Sequence, residues 1–368
     1  MTYLDTGLWA DVRGLPDALG DTLAAADGVA EAAELLRAGG VERIVATGNG
    51  AAYYVAHALW LASLEGRAAG PPIIAVPCGI AVRERFRWQP GDAVLAVSSS
   101  GEFRDVVEIA QRVTGRPCVA ITATTGSSLA TAASATILQR VASQRAVTHT
   151  QALAGAYAAG LALWAAISGD ADLAAVVESA PEAATRAVAA AEAWAGEALS
   201  GLGDAGAGHS SLPTVGDSSL PTLDGSSLPT LDGSSLPTAA VVVGGGPGWA
   251  AALELALMLK EISRVPAEGV ETREGATSAM FGLDHGHLMV SLDPPGDPLG
   301  DEAVRLCAAA GATTLRLPGV EGADVRLAPI TTLPAAAALA AELALAAGHH
   351  VDRPTWTDAY YETARSAT

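Results

Sequence analysis

The sequence predicts an α/β fold of two tandem domains, each a doubly wound parallel sheet flanked by helices. Three observations predict it. Strand-like and helix-like segments alternate through the first half, the strand-like ones are continuous apolar runs, and the same order restarts at residue 239. An unbroken apolar strand suits a sheet covered on both faces. Strand–helix alternation implies right-handed crossovers between parallel neighbours. For 368 residues, two domains are the natural number.

Taken in order, a helical arm fills 1–38 and a first domain spans 39–170. Its strands are expected at VERIVATG (41–48), PPIIAVPC (71–78), DAVLAVSSS (92–100), CVAITATT (118–125) and ATILQRV (135–141). Helices at AAYYVAHALWLASLEG (51–66) and FRDVVEIAQRVTG (103–115) lie between them. Residues 151–200 are Ala-rich helix, with 171–204 as a helical linker. The second domain, 239–350, begins with AAVVVGGGPG (239–248), a strand and glycine-rich turn, followed by the helix WAAALELALMLKEIS (249–263). Further strands are expected at HLMVSLD (287–293), TTLRLPG (313–319) and DVRLAPI (324–330), with helices at 300–311 and 334–348 and a tail at 351–368. Between the domains, at 205–238, the motif SSLPT recurs with a period of eight. That unit is too short for a solenoid with longer repeats, and its Ser, Gly, Pro and Asp cannot bury enough surface to offset chain entropy. A surface insertion without a chemical role is expected.

Composition excludes several function classes. The formal charge is −19, from 40 acids against 21 bases. Such a field repels phosphodiester backbones, so nucleic acid is not an expected partner. An anionic ligand would need backbone amides rather than a basic patch. Cys78, Cys118 and Cys307 are scattered in apolar runs, as expected of buried free thiols in a reducing cytoplasm. The N-terminus carries acids and does not resemble a signal peptide, and no stretch is expected to span a membrane. No cofactor or metal is called for: His285 and His287 stand two apart without a supporting Cys/His cluster.

Two loops point to phosphate. SSSGEFRD (98–105) ends the third expected strand and opens a helix, where amides, hydroxyls and the positive end of the helix dipole can receive an anion. TGNGAAYY (47–54) follows the first strand in the equivalent place, and ligands of open α/β sheets sit at such carboxyl ends. A dinucleotide site is rejected, because Tyr53 replaces the third glycine and PPIIAVPC ends without a ribose-binding acid.

These residues carry a resemblance. DAVLAVSSSGEFRDVV with CVAITATTGSSLA (118–130) resembles the sugar isomerase (SIS) domain pattern. WAAALELALMLKEISRVPAEGVETREG (249–275) is similar to the second such domain in the isomerase half of glucosamine-6-phosphate synthase, and to aminosugar-phosphate deaminases and fructosamine-phosphate deglycases. The resemblance runs over most of 40–360, apart from the repeats. It implies that Ser98, Ser99 and Ser100 hold a phosphate, that Gly48, Asn49 and Gly50 line the site, and that Ser127 and Ser128 form a second serine element. Phe103 stands where the family usually has Thr. Arg104 next to it is either a replacement charge or a solvated helix residue. Near Gln144 a family acid is absent. With no glutaminase domain and no N-terminal cysteine in the sequence, glutamine-dependent synthesis is not expected.

For proton transfer the candidate is Glu261, with Glu254 beside it. The two share a helical face at i and i+7, among Leu253, Leu257, Leu259 and Ile262. Carboxylates on an apolar face are costly unless they pair or work, and burial tunes a carboxylate for acid–base chemistry. The resemblance makes Glu261 the base and Glu254 a second active-site glutamate; the alternative is a structural carboxylate. Lys260 faces away. Met258, Thr277 and Ala359 replace a lysine, a ring-opening histidine and a tail lysine of the synthases. His285 is the candidate substitute acid/base, and Asp358, Tyr360 and Tyr361 give the tail other polar groups.

The expectation is a cytoplasmic enzyme acting on a small phosphorylated sugar, by aldose–ketose isomerisation or by deamination or deglycation through a shared enediol or enolamine. The alternative is a non-catalytic sugar-phosphate sensor or partner-binding protein. The Ala-rich segment 151–168 is expected to supply a flat apolar face for a homodimer.

Overall fold

A computed structural model describes residues 2–25, 28–65, 69–83, 86–199, 236–354 and 357. The repeats at 210–235 and the tail residues Asp358, Ala359, Tyr360 and Tyr361 lie outside them. Helices α1 (Gly7–Arg13), α2 (Leu15–Ala24) and α3 (Val29–Arg37) form the N-terminal arm. The first sheet has strands β1 (Arg43–Thr47), β2 (Ile73–Ala75), β3 (Asp92–Val97), β4 (Cys118–Thr122) and β5 (Ala135–Leu138), all parallel, in the order β2-β1-β3-β4-β5. Its connecting helices are α4 (Ala51–Leu64), α5 (Cys78–Ala81), α6 (Arg104–Arg112) and α7 (Ser128–Ala132). The central strand β3 is buried along its whole length, which is why it reads as an unbroken apolar run.

The Ala-rich stretch divides into α8 (Thr150–Ser168), α9 (Ala171–Glu178) and α10 (Ala180–Ala198). Gly169 ends α8 in the left-handed conformation, and the Asp170 side chain caps α9 through the Leu173 amide. Contrary to the expected docking face, α8 lies inside the chain. Nearly all its residues are buried, and it packs against α2, α3 and α4. A helix apolar all round belongs in an interior. Two segments, Thr150–Ser168 and Val325–Ala346, prove long and apolar enough to cross a membrane, against expectation. Each has 89% of that window buried in the fold, so both are core helices here.

The second sheet has four parallel strands, β6 (Ala239–Gly244), β7 (Ala267–Glu271), β8 (His287–Ser291) and β9 (Thr313–Arg316), in the order β7-β6-β8-β9. Around it lie α11 (Pro247–Met258), α12 (Thr272–Gly275), α13 (Pro298–Ala309), α14 (Ala328–Thr331) and α15 (Leu333–Ala346). Two expectations need correction. The edge strand β7 is not among the expected strands, because Glu268, Gly269 and Glu271 break the apolar run that marks central strands. DVRLAPI is not a strand. Asp324 accepts the Arg326 amide and starts a 3-10 turn, and Pro329 then sits in the first turn of α14. Helices α4 and α11 pack against each other, so one continuous core joins the two halves. The three cysteines are free and buried, as expected.

Candidate functional site

At the carboxyl end of β3 the chain turns through Ser98–Gly101 into α6. Ser98 is buried, and its Oγ accepts the Gly101 amide at 3.1 Å; Ser100 Oγ accepts the Glu102 amide at 3.2 Å. In both contacts the hydroxyl is the acceptor, so its proton stays available to a ligand. The Ser99 carbonyl ties the turn to the end of β4 by accepting the Ala123 amide at 2.9 Å and Thr122 Oγ1 at 3.0 Å. The nine-residue α6 begins without a side-chain cap, because Phe103 holds the N-cap position, leaving its first amides for an incoming anion. Asn49 and Gly50, after β1, line the same cleft. Gly48 supports them from below, where a Cβ would lie 2.7 Å from the Ala52 carbonyl carbon.

The second serine element buttresses this turn without lining the cleft. Ser127 caps α7 through the Ala130 amide, and Ser128 Oγ donates to Glu102 Oε2 at 2.7 Å. Arg104 also stays outside the cleft, exposed and beside Asp105 at 3.5 Å.

Opposite the serine turn stand the two glutamates. Glu254 projects from α11 and is almost fully buried, with Oε2 lacking any hydrogen-bond partner. Burial, and then the neighbouring Glu261, drives its carboxyl well above the usual range, which favours its neutral form. Beyond Met258 the helix widens into a π-turn, Leu259–Ser263, which carries Glu261 and ends at Arg264 in the left-handed region (φ 60°). Such turns gather at functional sites. Ser263 anchors it by donating to the Ala340 carbonyl at 2.7 Å. The Glu261 carboxyl is pushed up to about 7, chiefly by burial, while Thr148 and Lys260 pull it back. The Thr148 hydroxyl does so without making a hydrogen bond of normal geometry.

Serine turn and glutamates face one cleft of about 460 Å³. Gln139, Gln144, Thr148 and His149 complete its polar lining. Gln139 is buried with neither amide atom partnered, and Thr148 Oγ1 is unpartnered too. With Glu254 Oε2, these are buried polar atoms with no hydrogen bond of normal geometry among the described residues. His149 is held below the usual histidine pKa by burial, and its Nε2 lies 2.9 Å from Gln144 Nε2. Among the described residues, no Lys or Arg lines the cleft. Sequence reasoning missed Gln139, Thr148 and His149. The one available signal was a glutamine closing the apolar strand ATILQ.

His285 is not part of this constellation. It sits against Gly311, just before β9, and its neighbour Gly286 accepts the Thr238 amide just before β6. Both lie at amino ends of second-sheet strands, and His285 is not among the residues lining the cleft. His287 is likewise held at that end by Asp284 at 2.7 Å.

No protein-family model matches the chain. It is 27% identical over 380 residues to the glutamine–fructose-6-phosphate aminotransferase (isomerizing) of Aeropyrum pernix, covering 92% of this chain and 54% of that protein. The chain thus spans about half the length of this curated relative. Its fold is shared with the C-terminal domain of glucosamine-fructose-6-phosphate aminotransferase from Francisella tularensis, at TM-score 0.73, 17% identity and coverage of 95% and 98% of the two chains. Glucosamine-6-phosphate deaminase from Thermotoga maritima has it too, at TM-score 0.69, 16% identity and coverage of 95% and 98%. The chain thus has the fold of these proteins, two parallel α/β sheets in tandem, and is similar in sequence to the aminotransferase over about half of that protein's length.

Proposed function

We propose that the chain is a phosphosugar-processing enzyme, an aldose–ketose isomerase or an aminosugar-phosphate deaminase or deglycase, using Glu261 to move a proton. The observation that carries this is the pairing of two carboxyls of raised pKa with a serine turn of free hydroxyl protons across one cleft. The serine hydroxyls and the first amides of α6 hold the phosphate. Ionised Glu261 takes the proton from the carbon beside the carbonyl or imine, and the electron pair moves onto that oxygen or nitrogen. Glu254, whose neutral form burial favours, can donate a hydrogen bond to the developing charge. Returning the proton to the adjacent carbon completes an isomerisation; hydrolysis of the imine releases an amine.

The second reading, a non-catalytic sugar-phosphate sensor, is favoured by the lack of any Lys or Arg among the described residues lining the cleft and by Met258 and Thr277 at the family's lysine and histidine positions. Assembly as a homodimer belongs to either reading; Phe281, 81% exposed, is among the apolar side chains a second copy would cover.

Proton exchange separates the readings. Incubated in heavy water with a panel of hexose and aminosugar phosphates, the enzyme is expected to place deuterium on the carbon beside the carbonyl or imine of its substrate, seen by NMR. A bound phosphosugar that never acquires deuterium assigns the chain to the sensors.

A further inference from the structure

The second domain contains the counterpart of the phosphate cradle, already filled. Thr47 of β1 pairs with Ala96 of β3, and Val243 of β6 pairs with Ser291 of β8. Moving outward from these pairs, Gly48 corresponds to Gly244 and Gly50 to Gly246. The backbones agree: φ 55°, ψ −130° at Gly50 and φ 49°, ψ −135° at Gly246. On the neighbouring strands Ser98 corresponds to Asp293, Ser99 and Ser100 to Pro294 and Pro295, and Gly101 to Gly296. Both of those last glycines have positive φ, 69° and 89°.

Asp293 is buried and fully engaged. Its Oδ1 accepts the amide of Gly245, the counterpart of Asn49, at 2.7 Å. Its Oδ2 accepts Thr272 Oγ1 at 2.6 Å. The start of α13 closes over it, since a Cβ on Gly300 would lie 2.6 Å from Asp293 Cβ. An incoming phosphate would meet a carboxylate where the first domain offers a hydroxyl, and two prolines, which lack amide protons, where it offers serines.

We infer that Asp293 is a built-in anion that occupies the second cradle in place of a phosphate, leaving one phosphate site per chain. The correspondence rests on reading the serine turn as the phosphate site, but its test uses no sugar phosphate, so either can fail without the other. Asp293→Ala deletes a carboxylate the size of formate and leaves two buried donors unpaired. The variant is expected to melt about 5 °C below the wild type, the loss expected when two buried donors in a chain this long each lose their acceptor. Sodium formate, but not sodium chloride at equal ionic strength, is expected to recover at least half that loss by mass action while leaving the wild-type melting temperature unchanged. A folded variant that ignores formate, or an equal response from the wild type, would overturn the inference. Should Asp293→Ala give no soluble protein, Asp293→Ser enters the same titration with the same two outcomes.

Discussion

Replacing Glu261 with Gln should lower turnover by roughly 10² to 10⁴ while leaving sugar-phosphate affinity close to wild type, the usual worth of a positioned general base. The substitution keeps the size and the hydrogen-bonding reach of the side chain within the π-turn and removes the basic oxygen. Its pH behaviour adds a second signature. The base must be ionised, so wild-type activity should rise with pH through about 7. Stability should move the other way. A carboxyl raised from 4.5 to about 7 favours the fold in its neutral form. That contribution is complete below 4.5 and is lost as pH rises through about 7. Glu261→Gln, neutral throughout, should therefore gain melting temperature relative to the wild type between pH 5 and pH 8. Steady-state kinetics and melting curves on this one variant read both effects. Unchanged turnover in a folded variant would remove Glu261 from the chemistry.

The second large effect is expected at Gly101. It holds the serine turn with φ 69°, and a Cβ there would lie 2.2 Å from Ser127 Oγ and 2.6 Å from Ser127 Cβ. The hydroxyl could rotate, but the Ser127 Cβ is fixed by the start of α7, where its side chain caps the helix. A left-handed Ala costs about 1 to 2 kcal/mol, and the overlap adds about 1 to 3 kcal/mol. Gly101→Ala should thus melt about 3 to 6 °C lower. It should also bind the sugar phosphate at least tenfold more weakly, because the Gly101 amide positions the Ser98 hydroxyl. Calorimetric melting and a ligand titration check the pair of effects. Wild-type values for both would show that the turn is neither tight nor part of the phosphate site.

Much of the fold was legible because buried parallel strands and glycine-rich turns leave strong local patterns. The strands at 43–47, 92–97, 118–122 and 239–244 were marked in this way. What failed were elements set by tertiary context. Ala267–Glu271 pairs at a sheet edge, so its glutamates and glycine hide it. An apolar run with Asp324 and Pro329 became helical through capping rather than hydropathy. At the site, Ser98–Ser100 and Glu254/Glu261 stood out because serine clusters and carboxylates on apolar runs are locally unusual. Gln139 and Thr148 come from the far side of the cleft, and nothing in their flanking sequence shows that they meet those residues. His285 illustrates the converse error. It follows the glutamates closely in sequence, yet it packs against Gly311 and does not line their cleft.

The central claim is that the cleft between the serine turn and the glutamates recognises a phosphorylated sugar. Thermal shift tests it most directly, comparing each hexose and aminosugar phosphate with its unphosphorylated parent, in the wild type and in the double variant Ser98→Ala/Ser100→Ala. A phosphosugar should raise the wild-type melting temperature by mass action, its parent sugar should not, and the double variant should fold yet lose most of the response. Equal shifts from sugar and sugar phosphate, or a full response from the double variant, would contradict the account.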